Sequence, residues 1–221
     1  TPGTEPTTAE LAQGVGGTRD DASGDSNGDM TVDFGFLPTV SIGSTVFIDN
    51  NNNGTQDAGD LGLAGATVKL YFDANNNGVI DAGAESTAIA TAPVTDNTGN
   101  YYFGNLAPGN YVVGVTPPST HPNSSTTTVT VDENSAIAPG DGLDNGTQTG
   151  SGLEALSPVV TLTPGTEPTT AELAQGVGGT QDDASGDANG DMTVDFGFLP
   201  TVSIGTVSYT HLRAHETVLD L

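Results

Sequence analysis

Short runs of alternating apolar and polar residues dominate the chain, and Gly, Asn, Asp or Pro bound each run. Alternation of this kind is typical of half-buried β-strands, because successive side chains of a strand point to opposite faces of the sheet. In the run 66–72 the predicted inward positions are Val68, Leu70 and Phe72, and the predicted outward positions are Thr67, Lys69 and Tyr71. The pattern predicts an all-β fold.

Eight strands are predicted, near 40–48, 66–72, 87–95, 100–104, 109–116, 125–131, 158–162 and 192–198. The turns 97–99 and 107–110 separate three consecutive strands and predict a meander. Many short antiparallel strands at even spacing favour a β-sandwich. One helix is predicted at 169–175, with a twin at 7–13.

A long duplication organises the chain. Residues 1–43, the first copy, recur as residues 163–205, the second copy, with two differences, Arg19 against Gln181 and Ser26 against Ala188. Near-identity over this length indicates a tandem array with a unit of about 160 residues. We therefore expect the end of a preceding unit at 1–38, one complete unit at 39–200, and the start of the next unit at 201–206.

The tail 207–221 departs from the repeat in composition, with two of the three histidines of the chain. It resembles translated sequencing-adapter read-through, and we predict that it is not native to the array. The alternative is a genuine C-terminal helix.

The most informative motif is a loop of the form Asp-x-Asn-x-Asn-Gly at 49–54, the start of the first loop (49–60). Its alternating polar side chains match calcium loops of the EF-hand type, in which glycine at position six permits a sharp turn. The predicted ligands are Asp49, Asn51, Asn53, Asp57 and Asp60, with the Thr55 main-chain carbonyl.

A second loop (73–85) repeats the motif 24 residues later. Its predicted ligands are Asp73, Asn75, Asn77 and Asp81, with the Val79 carbonyl. Position twelve is Ala84, so we expect a one-residue bulge to bring in Glu85. The alternative interpretation of both loops is a pair of solvated Asx/Gly turns.

The two loops follow the first and second strands, so we expect them at opposite ends of the sandwich. A third metal cluster is possible if two distant segments meet, and the alternative interpretation is solvated turns. Its residues would be Asp141, Asp144 and Asn145 with Asp187, Asn189 and Asp191.

Composition and charge limit the kinds of partner that the chain is able to bind. The formal net charge is −25, with 28 acidic residues and three Lys or Arg. Nucleic acid is excluded as a partner because phosphate binding needs a basic face. No apolar run approaches the roughly 18 residues of a membrane span. Cysteine is absent, so calcium is the expected stabiliser of an exported domain.

The unit resembles the SdrD B-like domains of serine-aspartate-repeat surface proteins, which are related to the B-type domains of collagen adhesins. The matching residues are 41–43, 46–49, 51, 53–54, 57, 62–70, 95–96, 99–103, 106–111 and 195–198. The resemblance implies a calcium-stabilised, prealbumin-like or Ig-like sandwich, repeated as a stalk on the surface of a bacterium. The family's calcium positions correspond well to the first loop and only in part to the second.

The resemblance also raises the Lys–Asn isopeptide crosslink of collagen-adhesin domains. Lys69 is the only lysine, and alternation points it outward, so we predict no crosslink.

Two classes of function are compatible with these features, and a third is not expected. The leading hypothesis is a spacer repeat in a secreted or cell-surface bacterial adhesin, whose partners are neighbouring units. The alternative is an adhesive module that contacts a host or matrix protein or a glycan. An enzyme is not expected, because nucleophile–base pairs are scarce with no cysteine and a single histidine, His121, outside the tail.

Duplication also poses a structural question, since either copy is able to complete the same sandwich. We predict that 163–200 does so, because it is continuous with residues 40–162.

Overall fold

The computed structural model describes residues 34–125, 143–168 and 188–202. Two compact units divide the chain, Thr1–Leu37 and Pro38–Leu221. The first unit is described only at residues 34–37, where Phe34 and Phe36 are 80% and 92% exposed. The following paragraphs concern the second unit.

Ten strands lie in the described part of the second unit. They are β1 Val40–Ile48, β2 Thr67–Phe72, β3 Ala90–Thr91, β4 Asn100–Leu106, β5 Gly109–Thr116, β6 Thr147–Gln148, β7 Ala155–Leu156, β8 Val160–Leu162, β9 Gly190–Asp191 and β10 Phe196–Phe198. No helix occurs among the described residues, and none of them belongs to a helix long and apolar enough to cross a membrane.

The strands form two sheets. In one sheet β1 pairs antiparallel with β4 and parallel with both β9 and β10. In the other the order is β3-β2-β5-β7-β6, all antiparallel, and β8 also pairs with β5. The expected sandwich is therefore confirmed, while its last strands close the first sheet in parallel to β1 instead of antiparallel.

The core lies between the two sheets and takes apolar side chains from both. Its fully buried members include Val40, Ile42 and Phe196 on one side and Leu70 and Val113 on the other. These residues hold alternate positions in their strands, so the period-two pattern of the sequence produces the core directly.

The meander prediction is wrong. After the turn at 97–99, the Gly99 carbonyl accepts a hydrogen bond from Val46 N of β1 (2.9 Å), so β4 enters the opposite sheet from β3. The chain then returns to the second sheet in β5. A short turn is able to join two strands of one sheet or two strands of different sheets. The turn residues are the same in both cases, so they did not show that the chain changes sheets here.

Several predicted strands differ in extent. The run 87–95 contributes only β3, because Pro93 has no N–H to donate to a ladder. The run 192–198 contributes only β10, at 196–198, and a further short strand, β9, lies before the run at 190–191. The predicted strand at 125–131 and the helix at 169–175 with its twin at 7–13 lie outside the described residues, apart from Ser125.

The second copy supplies the closing strand. Phe196 pairs with Val46 and Phe198 with Ile48, and both phenylalanines are fully buried. Their counterparts in the first copy, Phe34 and Phe36, are exposed. The prediction that the continuous copy fills this place is confirmed for β10.

Candidate metal loops

Asp49 organises the first loop from its base. Its side chain is fully buried, and its Oδ1 accepts hydrogen bonds from the main-chain N of Asn51 (3.2 Å), Asn52 (2.6 Å) and Asn53 (3.3 Å). Its Oδ2 accepts one from Gly54 N (2.8 Å). Asn52 and Gly54 have left-handed φ angles of 59° and 72°, which turn these N–H groups toward the carboxylate.

Asp57 is the second point of convergence. Its Oδ2 accepts hydrogen bonds from the amide nitrogens of Asn51 (2.8 Å) and Asn53 (2.9 Å). The side chains at loop positions three, five and nine therefore meet at one oxygen. Since an asparagine amide carries both a donor and an acceptor, the same side chains are able to present oxygen to a cation.

Asp60 closes the first loop. Its Oδ1 accepts hydrogen bonds from Asn50 N (3.1 Å) and Asn50 Nδ2 (2.9 Å), and its Oδ2 accepts one from Asp57 N (3.0 Å). Both ends of the loop are therefore tied to one carboxylate.

The second loop repeats the main features of this arrangement, although Asp73 accepts from two main-chain N–H groups, where Asp49 accepts from four. Asp73 Oδ2 accepts from Gly78 N (2.8 Å), and Asp81 Oδ2 accepts from the amides of Asn75 (2.8 Å) and Asn77 (2.9 Å). Left-handed φ angles recur at loop positions four and six, Asn76 (57°) and Gly78 (81°). Equal geometry in two separate segments indicates that the motif itself determines the loop conformation.

Glu85 lies in the second loop, as expected from the one-residue longer spacing. Its Oε1 accepts hydrogen bonds from Ala74 N (3.0 Å) and Asn75 N (3.2 Å), and its Oε2 accepts one from Asp81 N (3.0 Å). Its role as a metal ligand stays a prediction, as do those of the other loop residues.

The loops lie at opposite ends of the sandwich, which confirms the expected placement. The first loop follows Ile48 at the end of β1. The second follows Phe72, and Asp73 N donates to Asn110 O at the start of β5 (3.0 Å). Because β4 ends beside Val40 and a short turn leads from there to β5, the second loop lies where β1 begins.

The donor chemistry of each loop fits a hard cation. Each contains three carboxylates, two amides and a main-chain carbonyl at the predicted positions, which are the kinds of oxygen ligand that calcium prefers. Among residues 34–125, 143–168 and 188–202, no group of three or more His, Cys, Asp or Glu side chains is placed to hold a metal ion. A cation at either loop would therefore need amide and carbonyl oxygens as well as carboxylates.

The third predicted cluster does not assemble from its described members. Asp144 N donates to Gly54 O beside the first loop (2.8 Å), whereas Asp191 pairs with Ile42 near the start of β1. Because Asp144 bridges to Asp195, which is level with Thr45, the two sites are separated by roughly 10 Å of strand. The prediction that Asp144 and Asp191 meet is wrong. Asp141 and Asp187 lie outside the described residues.

Solvated turns are also the wrong interpretation of these two acids, since Asp144 and Asp191 are 1% and 0% exposed. Asp144 belongs to a buried polar network with Ser125, whose hydroxyl donates to Asp144 Oδ2 (2.6 Å), and with Gly146, whose N donates to Oδ1 (2.8 Å). Burial raises the pKa of the Asp144 carboxyl to about 6, although these hydrogen bonds lower it.

Asp195 has a structural role that was not predicted from the sequence. Its Oδ1 accepts hydrogen bonds from Ser44 Oγ (2.6 Å) and Thr45 N (3.1 Å), and its N donates to Asn145 Oδ1 (2.7 Å). It thereby fastens the segment before β10 to β1. Its occurrence in the apolar run Val-Asp-Phe-Gly-Phe is the signal that marks a buried acid.

Lys69 points outward, as predicted, and its Nζ lies 3.3 Å from Glu154 Oε1. Tyr71, also predicted to face outward, is only 6% exposed, because its hydroxyl donates to Glu154 Oε2 (2.9 Å) and its ring is covered. Phe72, predicted to face inward, is only partly buried. The absence of a Lys–Asn crosslink stays a prediction.

The comparisons with known proteins agree with this fold. The family model of the SdrD B-like domain matches residues 40–157, and the chain belongs to this family. Membership places it among modules of bacterial surface or secreted proteins. No curated protein matches the chain.

Among solved structures, the chain is similar to GBS52, the minor pilin of the Gram-positive pathogen Streptococcus agalactiae. The identity is 14% and the TM-score 0.30, over 77% of this chain and 48% of the pilin. The match thus spans about half the length of the pilin and adds nothing to the family assignment.

Proposed function

We propose that the chain is a calcium-stabilised spacer repeat of a large bacterial secreted or cell-surface protein, an adhesin whose stalk is built from such units. The observation that carries this proposal is the equivalence of the two loops, which converge the same carboxylates and amides at opposite ends of one sandwich.

Charge supports a cation at each loop. The first loop carries Asp49, Asp57 and Asp60, the second carries Asp73, Asp81 and Glu85, and neither contains Lys or Arg. With a net charge of −25, carboxylates crowded in this way repel one another unless counterions neutralise them. Calcium replaces that repulsion by attraction.

The expected energy is modest and structural. At tenfold saturation a single site adds about 1.4 kcal/mol to the free energy of unfolding, so two sites add about 3 kcal/mol. That is a substantial share of the 5–15 kcal/mol by which domains of this kind are usually stable. Calcium here stabilises the fold instead of carrying a signal.

Aromatic burial favours the spacer over the alternative, an adhesive module for a host protein or glycan. A binding face would display aromatic side chains, which dominate recognition surfaces. Every Tyr and Phe in the described part of the second unit is buried or half-buried. Near-identical copies also suit an array, whose length depends on the number of its units.

Calorimetry of the full 221-residue chain tests the proposal. We expect heat of calcium binding and a melting temperature about 6–12 °C higher in calcium than in chelator, from about 3 kcal/mol at about 2–4 °C per kcal/mol. The double variant Asp57→Asn with Asp81→Asn should lose most of both effects, because each substitution removes the charge on which two amides converge. Glu154→Gln, outside the loops, is the matched control.

An unchanged melting temperature in calcium, or an equal gain in the double variant, would reject calcium at the loops. The spacer role has a separate test, since the second loop lies at the end where β1 begins. Small-angle scattering of a two-unit protein should show a stiffer joint in calcium than in chelator, and equal flexibility would contradict a calcium-dependent joint.

A further inference from the structure

Two buried carboxyl groups lie together away from both loops. Glu167 follows β8 and is 3% exposed, and Asp191 lies in β9 and is fully buried. They are close enough for the charge of Asp191 to act on Glu167. Neither group belongs to the first or second loop, and Glu167 was not among the predicted site residues.

Neighbouring donors fix one oxygen of each carboxyl group. Thr163 N donates to Glu167 Oε1, while Thr193 N (3.0 Å) and Thr193 Oγ1 (2.7 Å) donate to Asp191 Oδ1. Glu167 Oε2 is fully enclosed and has no hydrogen-bond partner. An enclosed carboxylate oxygen without a partner is costly, so a ligand that supplies positive charge is expected at this oxygen.

No side chain of the described part provides that charge. Its one Lys or Arg residue, Lys69, pairs with Glu154. Burial in the first place, and the nearby Asp191 carboxylate, raise the pKa of Glu167 to about 7. A bound cation would offset both the cost of burial and the repulsion between the two carboxyl groups.

We infer that Glu167 and Asp191 bind a divalent cation, calcium, at a site separate from the two loops. Two buried carboxylates beside the Thr193 hydroxyl offer only hard oxygen donors, which suit calcium and not a soft metal. Thr163 and Thr193 orient the two carboxyl groups, and Glu167 Oε2 is the oxygen left to ligate.

The position of the site gives it a structural effect. Asp191 pairs with Ile42 in β1, and the main chain of Gly165 and Glu167 donates to Ala188 O (2.8 and 3.2 Å). A cation here would tie the segment after β8 to the segment that begins β9. The same acids recur in the first copy as Glu5 and Asp29, so each unit of an array would carry the site.

Equilibrium dialysis with radioactive calcium, on the full chain at pH 8, tests this inference. Glu167→Gln and Asp191→Asn should each bind one ion fewer per chain than the wild type. Glu154→Gln, a carboxylate paired with Lys69, should bind the wild-type number. Circular dichroism establishes that each variant is folded. If only one of Glu167→Gln and Asp191→Asn folds, its number of bound ions is enough to decide the test.

Melting temperatures, measured in chelator and in calcium, give a second readout. In chelator at pH 8, Glu167→Gln should melt higher than the wild type, because it removes an uncompensated buried charge. The rise in melting temperature from chelator to calcium should be smaller for Glu167→Gln than for the wild type. An unchanged ion count in both variants, with a higher melting temperature of Glu167→Gln in both buffers, would mean that the pair holds only a proton, and would overturn the inference.

The outcome is independent of the loops. Loss of binding in Asp57→Asn with Asp81→Asn but not in Glu167→Gln would support the loops and reject this site, and the converse result would do the reverse.

Discussion

Asp60 and Glu85 make equivalent hydrogen bonds in two loops of different length. Each accepts from the main chain at loop position two, Asn50 N or Ala74 N, and at position nine, Asp57 N or Asp81 N. The second loop places its acid one residue later, and the additional methylene of glutamate restores the reach. Spacing and side-chain length therefore compensate each other.

This equivalence predicts that Glu85→Ala destabilises the calcium-free protein. The variant loses three hydrogen bonds to main-chain N–H groups, and since the loop is exposed we expect a loss of about 1–2 kcal/mol in the free energy of unfolding. Urea denaturation in chelator measures the loss. Val79→Ala in the same loop, where the side chain is 59% exposed, should change stability by less than about 0.5 kcal/mol. Equal effects of the two substitutions would refute the closing role of Glu85.

Local patterns predicted local structure well. Alternation located β1, β2 and β5 within a residue, and the spacing of Asp, Asn and Gly predicted two loops whose hydrogen bonds prove equivalent. These features depend on residues close in sequence, so the motif is enough to specify them.

Contacts between distant segments were harder to predict. Glu167 and Asp191 are 24 positions apart, and they meet because the segment after β8 hydrogen-bonds to Ala188, just before β9. Tyr71 occupies an outward position and is nonetheless buried, because Glu154, from another strand region, binds its hydroxyl. No sequence period records such partners.

Gly99 permits the chain to pass from one sheet to the other. Its φ is +75°, and a Cβ there would lie 2.0 Å from the Val46 carbonyl oxygen. We expect Gly99→Ala to cost about 2–4 kcal/mol in the free energy of unfolding, from the left-handed φ and the collision with main chain.

The matched control is Gly59→Ala, whose Cβ would have no atom within 4 Å. It should cost less than about 0.5 kcal/mol, as surface substitutions usually do. Urea denaturation of both variants gives the comparison, and similar values would show that the Gly99 main chain relaxes freely.

The raised pKa of the Tyr71 phenol predicts that the protein loses stability at alkaline pH. Burial, and then the hydrogen bond and charge of Glu154, raise its pKa from 10 to about 12. The folded state therefore favours the protonated phenol. Its contribution is complete below about pH 10, where the unfolded chain also keeps the proton, and is lost as the pH rises to about 12.

Absorbance at the phenolate band measures this titration as the difference between wild type and Tyr71→Phe. Glu154→Gln should lower the Tyr71 pKa only in part, because burial is the larger cause. A Tyr71 that ionises near pH 10 in the folded wild type would contradict the prediction.

The duplication provides its own control for the closing strand. Phe196 is fully buried beside Val46, whereas its counterpart Phe34, in a near-identical segment, is 80% exposed. Phe196→Ala should cost about 3–5 kcal/mol, from lost burial and the cavity left behind. Phe34→Ala should cost less than about 0.5 kcal/mol, although the local sequence is the same.

Urea denaturation in calcium compares the stability losses of the Phe196→Ala and Phe34→Ala variants. A larger loss at Phe34 would show that the first copy completes the sandwich, and equal intermediate losses would show that the two copies exchange in it. The predicted difference arises only from chain connection, since composition and motif are shared by both copies.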